Sequence, residues 1–198
     1  MNRIGFVFSA LWYYFWGHLF ALMFYDKKYL KGKWFNNSHH GLGALGWKWV
    51  TYDALGRIIG QENQSAKYPV NQRCRTLCPQ NIIFDVDDLN NFQGSGNYFQ
   101  ALAKIYIGKG TFIAPNVGLI TGNHDINDPD KRLEPQEIHI GKKCWIGMNA
   151  MVLPGVRLGD HTIVGAGSVV TKSFPDGYVV IAGNPAKIIK TINKENEG

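Results

Sequence analysis

Apolar residues follow two distinct patterns along this chain. From Ile4 to Tyr25 almost every position is apolar: of these 22 residues only Ser9 and His18 are clearly polar, and ten are aromatic, Trp12-Tyr13-Tyr14-Phe15-Trp16 among them. Lys27, Lys28, Lys31 and Lys33 follow directly. The pattern predicts a helix, and three settings suit it. Its length is enough for one crossing of a bilayer, which takes about 20 residues. Trp and Tyr favour the headgroup level, however, and here they sit mid-segment, which points to a helix lying in the membrane interface with its lysines on anionic lipid. The third setting is against the protein's own core or a second subunit. If the segment spans, the lysines put the rest of the chain in the cytoplasm. A secretory signal is not expected, because no small-x-small cleavage site follows the apolar run.

The second pattern is a repeat with a period of six. Ile107 and Ile113 begin it, and after an interruption Ile140, Ile146, Val152, Leu158 and Val164 continue the step. Four residues beyond each stands a small or slim side chain: Thr111, Val117, Cys144, Ala150, Val156, Thr162 and Ser168. One residue beyond each, glycine stands in five of the seven units. A period of six fits neither the 3.6 of a helix nor the 2 of an alternating strand. It predicts a coil of triangular section, in which each unit is a short strand plus a corner and three units make an 18-residue turn. The aliphatic residues point inward and stack from turn to turn, and the slim residues fill the tight inner slots. The glycines are read as corner residues, where φ needs to be positive. An ordinary glycine-rich sandwich does not space strands six apart over five successive units.

The interruption matters as much as the repeat. From Ile113 the step reaches Leu119 and then fails; it resumes at Ile140, 21 residues on, which reads as 18 plus 3. A polar excursion, about residues 122–137 (GNHDINDPDKRLEPQE), therefore leaves the coil. Loops thrown out from a rigid scaffold are where function concentrates, and this one contains His124. Upstream, Ile82-Ile83, Phe84, Val86, Leu89 and Phe92 suit earlier rungs in an unfixed register. Downstream, Tyr178–Ile181 reads as a strand, and Pro185 is placed to open a short helix to about Lys194, with a frayed tail over 195–198. The organisation expected is an apolar segment over 1–34, the coil over 35–184, and the C-terminal helix and tail over 185–198.

Composition narrows the class. At 198 residues, with 45% hydrophobic and 18% charged side chains, the chain is neither disordered nor collagen-like. Three cysteines, Cys74, Cys78 and Cys144, are too few for a disulfide scaffold, and no second pair completes a zinc site with Cys74 and Cys78. A reducing compartment is the default. The net charge of +6 suits an anionic ligand or membrane surface, and without a nucleic-acid motif no nucleic-acid partner is expected.

The segment IGKKCWIGMNAMVLPGVRLGDHTIVGAGSVVTKSFPDGYVVIAGNPAKIIK resembles the hexapeptide-repeat acyltransferases, which are left-handed parallel β-helices. The nearest subgroup is the acetyl-CoA-dependent O-acetyltransferases of sugars, including those of capsule and colanic-acid synthesis. GAGSVVTK followed by AGNPAK is the most specific part, and the resemblance covers about residues 105–189. It implies an all-β fold, the left-handed coil, acetyl-CoA as co-substrate, no metal, a homotrimer, and a sugar or glycan acceptor.

It also implies roles. The family uses one histidine of the excursion loop as general base, and His124 in ITGNHD matches it; imidazole titrates near neutrality and can take a proton from a sugar hydroxyl. Asp125 or Asp128 is placed to orient that ring or to contact acceptor, and Asn97 stands near an acceptor-binding asparagine of the sugar enzymes. Trp145, Gly147 and Met148 match the stretch beside the thioester, with the Met148 backbone N–H as oxyanion donor. Gly165 and Ala166 match the rung whose amides bond pantetheine. Thr171, Lys172, Lys187 and Lys190 match phosphate-side positions; some relatives have arginine where Lys187 stands, so bidentate contact is lost there. His18, His39-His40, His139 and His161 read as structural or solvated. Cys144 falls on an inward slot and is expected to be buried and inert.

The activity expected is direct transfer, in a ternary complex, of acetyl to a hydroxyl of a cell-surface glycan or its lipid-linked precursor, at the cytoplasmic face of a membrane. The alternatives are a small free sugar, amine or other small acceptor; a carbonic-anhydrase-like metalloenzyme on the same coil, which needs three convergent histidines where only His124 and His139 are near; and a non-catalytic binding module.

Overall fold

The computed structural model describes residues 3–36, 41–60 and 63–193. The expectations for His39-His40 and for the tail over 195–198 lie outside the described residues.

The N-terminal run forms α1 (Arg3–Phe24), and α2 (Leu45–Ile58) packs beside it. The stripe α1 turns inward follows helical spacing: Ala10, Gly17, Phe20 and Ala21 are buried, and a Cβ on Gly17 would press on Trp47 of α2. In α2, Trp47, Val50, Ala54 and Arg57 recur at steps of three and four on the buried side. This second helix corrects the expected organisation. Residues 45–58 are helical, and the coil starts at Arg75 instead of residue 35.

A polar knot ties the helices to the chain that enters the coil. One carboxylate oxygen of Asp53 accepts from Arg57 Nη2 and Tyr25 Oη, both at 2.8 Å, and from the backbone N–H of Val70 at 3.1 Å. Arg57 also donates to the carbonyls of Ala66 (2.6 Å) and Tyr68 (3.2 Å). Burial pushes the Asp53 carboxyl upward against the pull of Arg57. Burial first, and then the Asp53 charge, push the Tyr25 hydroxyl up, so it stays protonated and donates.

The coil has three parallel faces. The first holds β1 (Arg75–Leu77), β3 (Tyr98–Gln100), β6 (Gly118–Ile120), β9 (Met151–Val152) and β12 (Val169–Val170). The second holds β2 (Ile82–Ile83), β4 (Ile105–Ile107), β7 (Ile138–Ile140) and β10 (Arg157–Leu158). The third holds β5 (Phe112–Ile113), β8 (Trp145–Ile146), β11 (Ile163–Val164) and β13 (Val179–Gly183), and ends with β14 (Ala186–Thr191). All seven aliphatic residues of the repeat and all seven slim residues are buried, so the inward stack is as the period predicts.

The corners differ from the expectation. Positive φ occurs three residues after each inward aliphatic, at Gly110, Asn116, Lys143, Asn149, Gly155, His161 and Gly167. The glycines one residue after the aliphatic serve close stacking instead. A Cβ on Gly108 would lie 2.4 Å from the backbone of Gly141, one on Gly147 2.6 Å from the Val164 carbonyl, and one on Gly159 2.2 Å from the Pro175 carbonyl. Those carbonyls belong to the neighbouring coil and have no room to move. Gly159→Ala is therefore expected to lower stability by about 1–3 kcal/mol, the cost of overpacking; an unchanged midpoint of denaturant unfolding would contradict this role.

The register pairs Ile107 with Ile140, Ile113 with Ile146 and Leu119 with Val152, each 33 residues apart. Later pairs such as Ile146 with Val164 are 18 apart. The 21-residue gap from Leu119 to Ile140 is thus one normal step of 6 plus an insertion of 15, and not 18 plus 3. The expected C-terminal helix is also replaced. Residues 186–191 form β14, antiparallel to β13, with Ala182 opposite Lys187 and Val180 opposite Lys190. Here the Gly183-Asn184-Pro185 turn reverses the chain, with Gly183 at positive φ, and returns it along the outer edge of the third face.

Candidate functional site

The excursion is an ordered hairpin. The N–H of Leu133 donates to the Asn123 carbonyl (3.0 Å), that of Asp125 to Lys131 (2.9 Å), and that of Gln136 closes the base on Thr121 (2.8 Å). His124 bridges Arg132 across it. At the tip, the Asp125 carboxylate accepts from the Asn127 N–H at 2.8 Å, the turn chemistry of a loop aspartate.

His124 is exposed, and its Nδ1 lies 2.5 Å from the Pro129 carbonyl oxygen. A carbonyl only accepts, so Nδ1 is the donor, and in the neutral ring the lone pair therefore lies on Nε2. His124 lines a cavity of about 510 Å³ together with Gln100, Asn123, Arg132 and Glu134, and with Leu77 and Leu102 from the coil. Gln100 is itself braced, its side-chain oxygen accepting from Gly122 N–H at 2.9 Å. The arrangement offers a base, a cation, a carboxylate and amides around one space, which suits a polyhydroxylated molecule. Gln100, Arg132 and Glu134 were not singled out from the sequence; the signal for the last two was their place at the base of the loop, opposite His124.

Two expected substrate residues take other positions. Asn97 is buried, and its side-chain oxygen accepts from Val117 N–H at 3.0 Å while its amide leans on the Asn91 carbonyl. It joins neighbouring coils and does not line the cavity, because an amide inside a coil must satisfy backbone groups there. Asp125 also lies outside the cavity lining, with its carboxylate turned to the loop tip.

The residues expected around the thioester and phosphates are split. Gly147 and Met148 lie at the corner between the third and first faces, with Gly165 and Ala166 one coil further on. Gly147 N–H donates to Val164, and Gly167 N–H to the Met148 carbonyl, both at 2.8 Å. The N–H groups of Met148 and Ala166 make no hydrogen bond to the described residues and remain available as donors. Trp145 stands exposed on the third face, with Lys187 and Lys190 exposed on β14 of the same sheet. Thr171 and Lys172 are exposed at the corner between the first and second faces, the same corner from which the His124 hairpin leaves. One chain thus presents His124 with Thr171 and Lys172 on one edge of the prism, and Met148 with Ala166 on another.

The remaining candidates are structural. Cys144 is buried, its thiol donating to the Gly159 carbonyl at 3.3 Å, and burial pushes its pKa upward. A thiol so placed is a poor nucleophile. His139 stacks on Tyr106 at 4.4 Å and bonds Glu137 at 3.1 Å on the second face, and His161 stacks on Tyr178 at 4.6 Å. Among the described residues no group of three His, Cys, Asp or Glu gathers to hold a metal.

Known proteins share the repeat and the coil. Residues 137–172 match the family model described as bacterial transferase hexapeptide (six repeats). A protein of Escherichia coli K12 with the provisional name colanic acid biosynthesis acetyltransferase is 43% identical over 89 residues, 45% of this chain and 48% of its own. The chain spans about half the length of the curated relatives it matches. A maltose O-acetyltransferase from Clostridium difficile 630 superposes with a TM-score of 0.54 at 25% identity, over 98% of this chain and 90% of that one. A galactoside acetyltransferase solved in complex with coenzyme A superposes with a TM-score of 0.56 at 23% identity, over 98% and 92%. In repeat, coil and relatives alike, the family this chain resembles is that of the hexapeptide-repeat acetyltransferases.

Proposed function

We propose that this protein is an acetyl-CoA-dependent O-acetyltransferase acting on a sugar hydroxyl of a cell-surface glycan or its lipid-linked precursor, at the cytoplasmic face of a membrane. The observation that carries the reading is His124, whose Nδ1 donates to the Pro129 carbonyl so that Nε2 of the neutral ring is the basic nitrogen, in the lining of a cavity of mixed polar and apolar character. In a ternary complex, Nε2 takes the hydroxyl proton as the sugar oxygen attacks the thioester carbonyl. The unbonded Met148 N–H is the donor for the oxyanion, and the thiolate of CoA leaves without a covalent acetyl-enzyme. Thr171, Lys172, Lys187 and Lys190 take the phosphates and Ala166 the pantetheine amides, where the small Gly165-Ala166 step allows close approach. The named relatives support a sugar acceptor and the CoA complex supports the donor. The left-handed winding goes with the shared fold.

The split of the site over two edges supports a homotrimer, in which a threefold axis brings the His124 edge of one subunit beside the Met148 edge of the next. Titration calorimetry with CoA and acetyl-CoA, run with light scattering, tests the proposal. Micromolar binding to a particle of three chains is expected, lost in Lys172→Glu/Lys187→Glu. Intact trimer that binds neither nucleotide would remove the donor, and a monomer binding CoA normally would remove the shared site.

A further inference from the structure

A helix that is apolar on every side belongs in a core or in lipid, and α1 has a core on one side only. Its inner stripe is held by α2: Tyr13 Oη meets Tyr52 Oη at 2.8 Å and His18 stacks on Trp47 at 3.7 Å, while Tyr25, just past the helix end, enters the Asp53–Arg57 knot. Its outer stripe is bare. Phe8 is 69% exposed, Trp12 60%, Phe15 64% and Leu22 77%, and no Asp, Glu, Lys or Arg lies between Gly5 and Tyr25. By length and composition Gly5–Phe24 is able to cross a membrane. Crossing would strip α1 from α2, leaving Trp47 without the cover that Gly17 and His18 give it and breaking the Tyr13–Tyr52 bond. The helix is therefore built to keep its inner contacts and cover its outer face in place.

Charge says with what. The first 52 residues hold six basic side chains (Arg3, Lys27, Lys28, Lys31, Lys33, Lys48) and one acid (Asp26), a net of +5 out of the whole chain's +6. Lys27, Lys28 and Lys31 are exposed just beyond the C-terminal end of the apolar stripe. A second copy of this face offers such lysines almost no counter-charge, whereas anionic headgroups do, with acyl chains beside them for the aromatic residues. We propose that α1 lies in the plane of an anionic bilayer surface, with Phe8, Trp12, Phe15 and Leu22 below the headgroups and Lys27, Lys28 and Lys31 on lipid phosphates. This anchor stands independently of the acetyl-transfer reading.

The test is co-sedimentation of the full chain with vesicles of phosphatidylcholine alone, or mixed with phosphatidylglycerol, without CoA or acceptor. The wild type is expected to pellet with the anionic vesicles and far less with neutral ones. Lys27→Glu/Lys28→Glu should weaken partition at least tenfold, since each lysine near the surface contributes appreciably. Trp12→Glu/Phe15→Glu should abolish it while far-UV circular dichroism and the melting temperature hold, because both side chains are exposed. The proposal is overturned if the wild type stays in the supernatant, or if it pellets equally on neutral lipid. It is equally overturned if Trp12→Glu/Phe15→Glu dissolves an oligomer in light scattering, which would make a second copy the occupant. Quenching of Trp12 by lipids brominated near the headgroup, and not at the bilayer centre, is expected of an in-plane helix; the reverse would restore a span. None of these outcomes bears on His124.

Discussion

His124→Ala is expected to lower the turnover of acetyl transfer on the order of 10²–10⁴-fold, the usual contribution of a positioned general base. The reason is geometric. The imidazole is the group in the cavity whose free nitrogen is fixed by a bond to its other nitrogen, Nδ1 to the Pro129 carbonyl. Of the other polar side chains of that lining, Gln100 holds Gly122, Arg132 only donates, and the Glu134 carboxylate has no hydrogen bond to the described residues to orient it. CoA affinity and melting temperature should be almost unchanged, because the exposed ring makes a single hydrogen bond and the hairpin is closed by backbone bonds at Asn123, Asp125 and Gln136. Steady-state kinetics with CoA titration in parallel reads the split. Near-normal turnover would remove the base role, and a loss of CoA binding together with turnover would make His124 a binding residue instead.

Asp53→Ala is expected to destabilise the fold by about 3–5 kcal/mol, since it leaves the Arg57 guanidinium buried without its counter-ion. Arg57 is 4% exposed and lies 4.7 Å from the Tyr25 ring centre, so water has little access to replace the lost carboxylate. The same change also leaves the Tyr25 hydroxyl with only its long 3.4 Å bond to the Val50 carbonyl and frees the Val70 N–H inside the protein. For a chain of this size the melting temperature should fall on the order of 10 °C. Replacing both partners by apolar residues of similar volume, Asp53→Leu with Arg57→Met, should restore part of the loss, as removing a whole buried pair costs less than halving it. Thermal unfolding followed at 222 nm gives both values. A single variant as stable as the wild type would mean that the knot does not hold the helices to the coil.

The two variants probe parts of the protein that were legible to different degrees. Neither Asp53 nor Arg57 stood out before the structure, because a salt bridge between helix residues four apart is ordinary on a surface, and only burial makes it a joint. The helix that carries it was missed as well. Its inward residues, Trp47, Val50, Ala54 and Arg57, include a charge, and two glycines interrupt the run. His124, by contrast, was legible from its place in a polar break of the repeat, while its partners Gln100, Arg132 and Glu134 come from segments far apart along the chain or across the hairpin.

The hexapeptide period determined by itself the inward stack from Ile107 to Val164, the three-faced coil and the loop that leaves it, since a repeated strand-and-corner unit buries its aliphatic residue in only one way. The corners were decided by contacts between coils. A positive φ at Lys143 or His161 carries no residue signature, and Gly159 is required by a carbonyl from residue 175, a separation that local propensity does not see. The strand at 186–191 was decided likewise by an open edge of β13, which offered hydrogen bonds that outweighed a short helix. The placing of Met148 and His124 on separate edges came from the winding of the whole coil, and one face of α1 was left bare because α2 is wide enough to cover only the other.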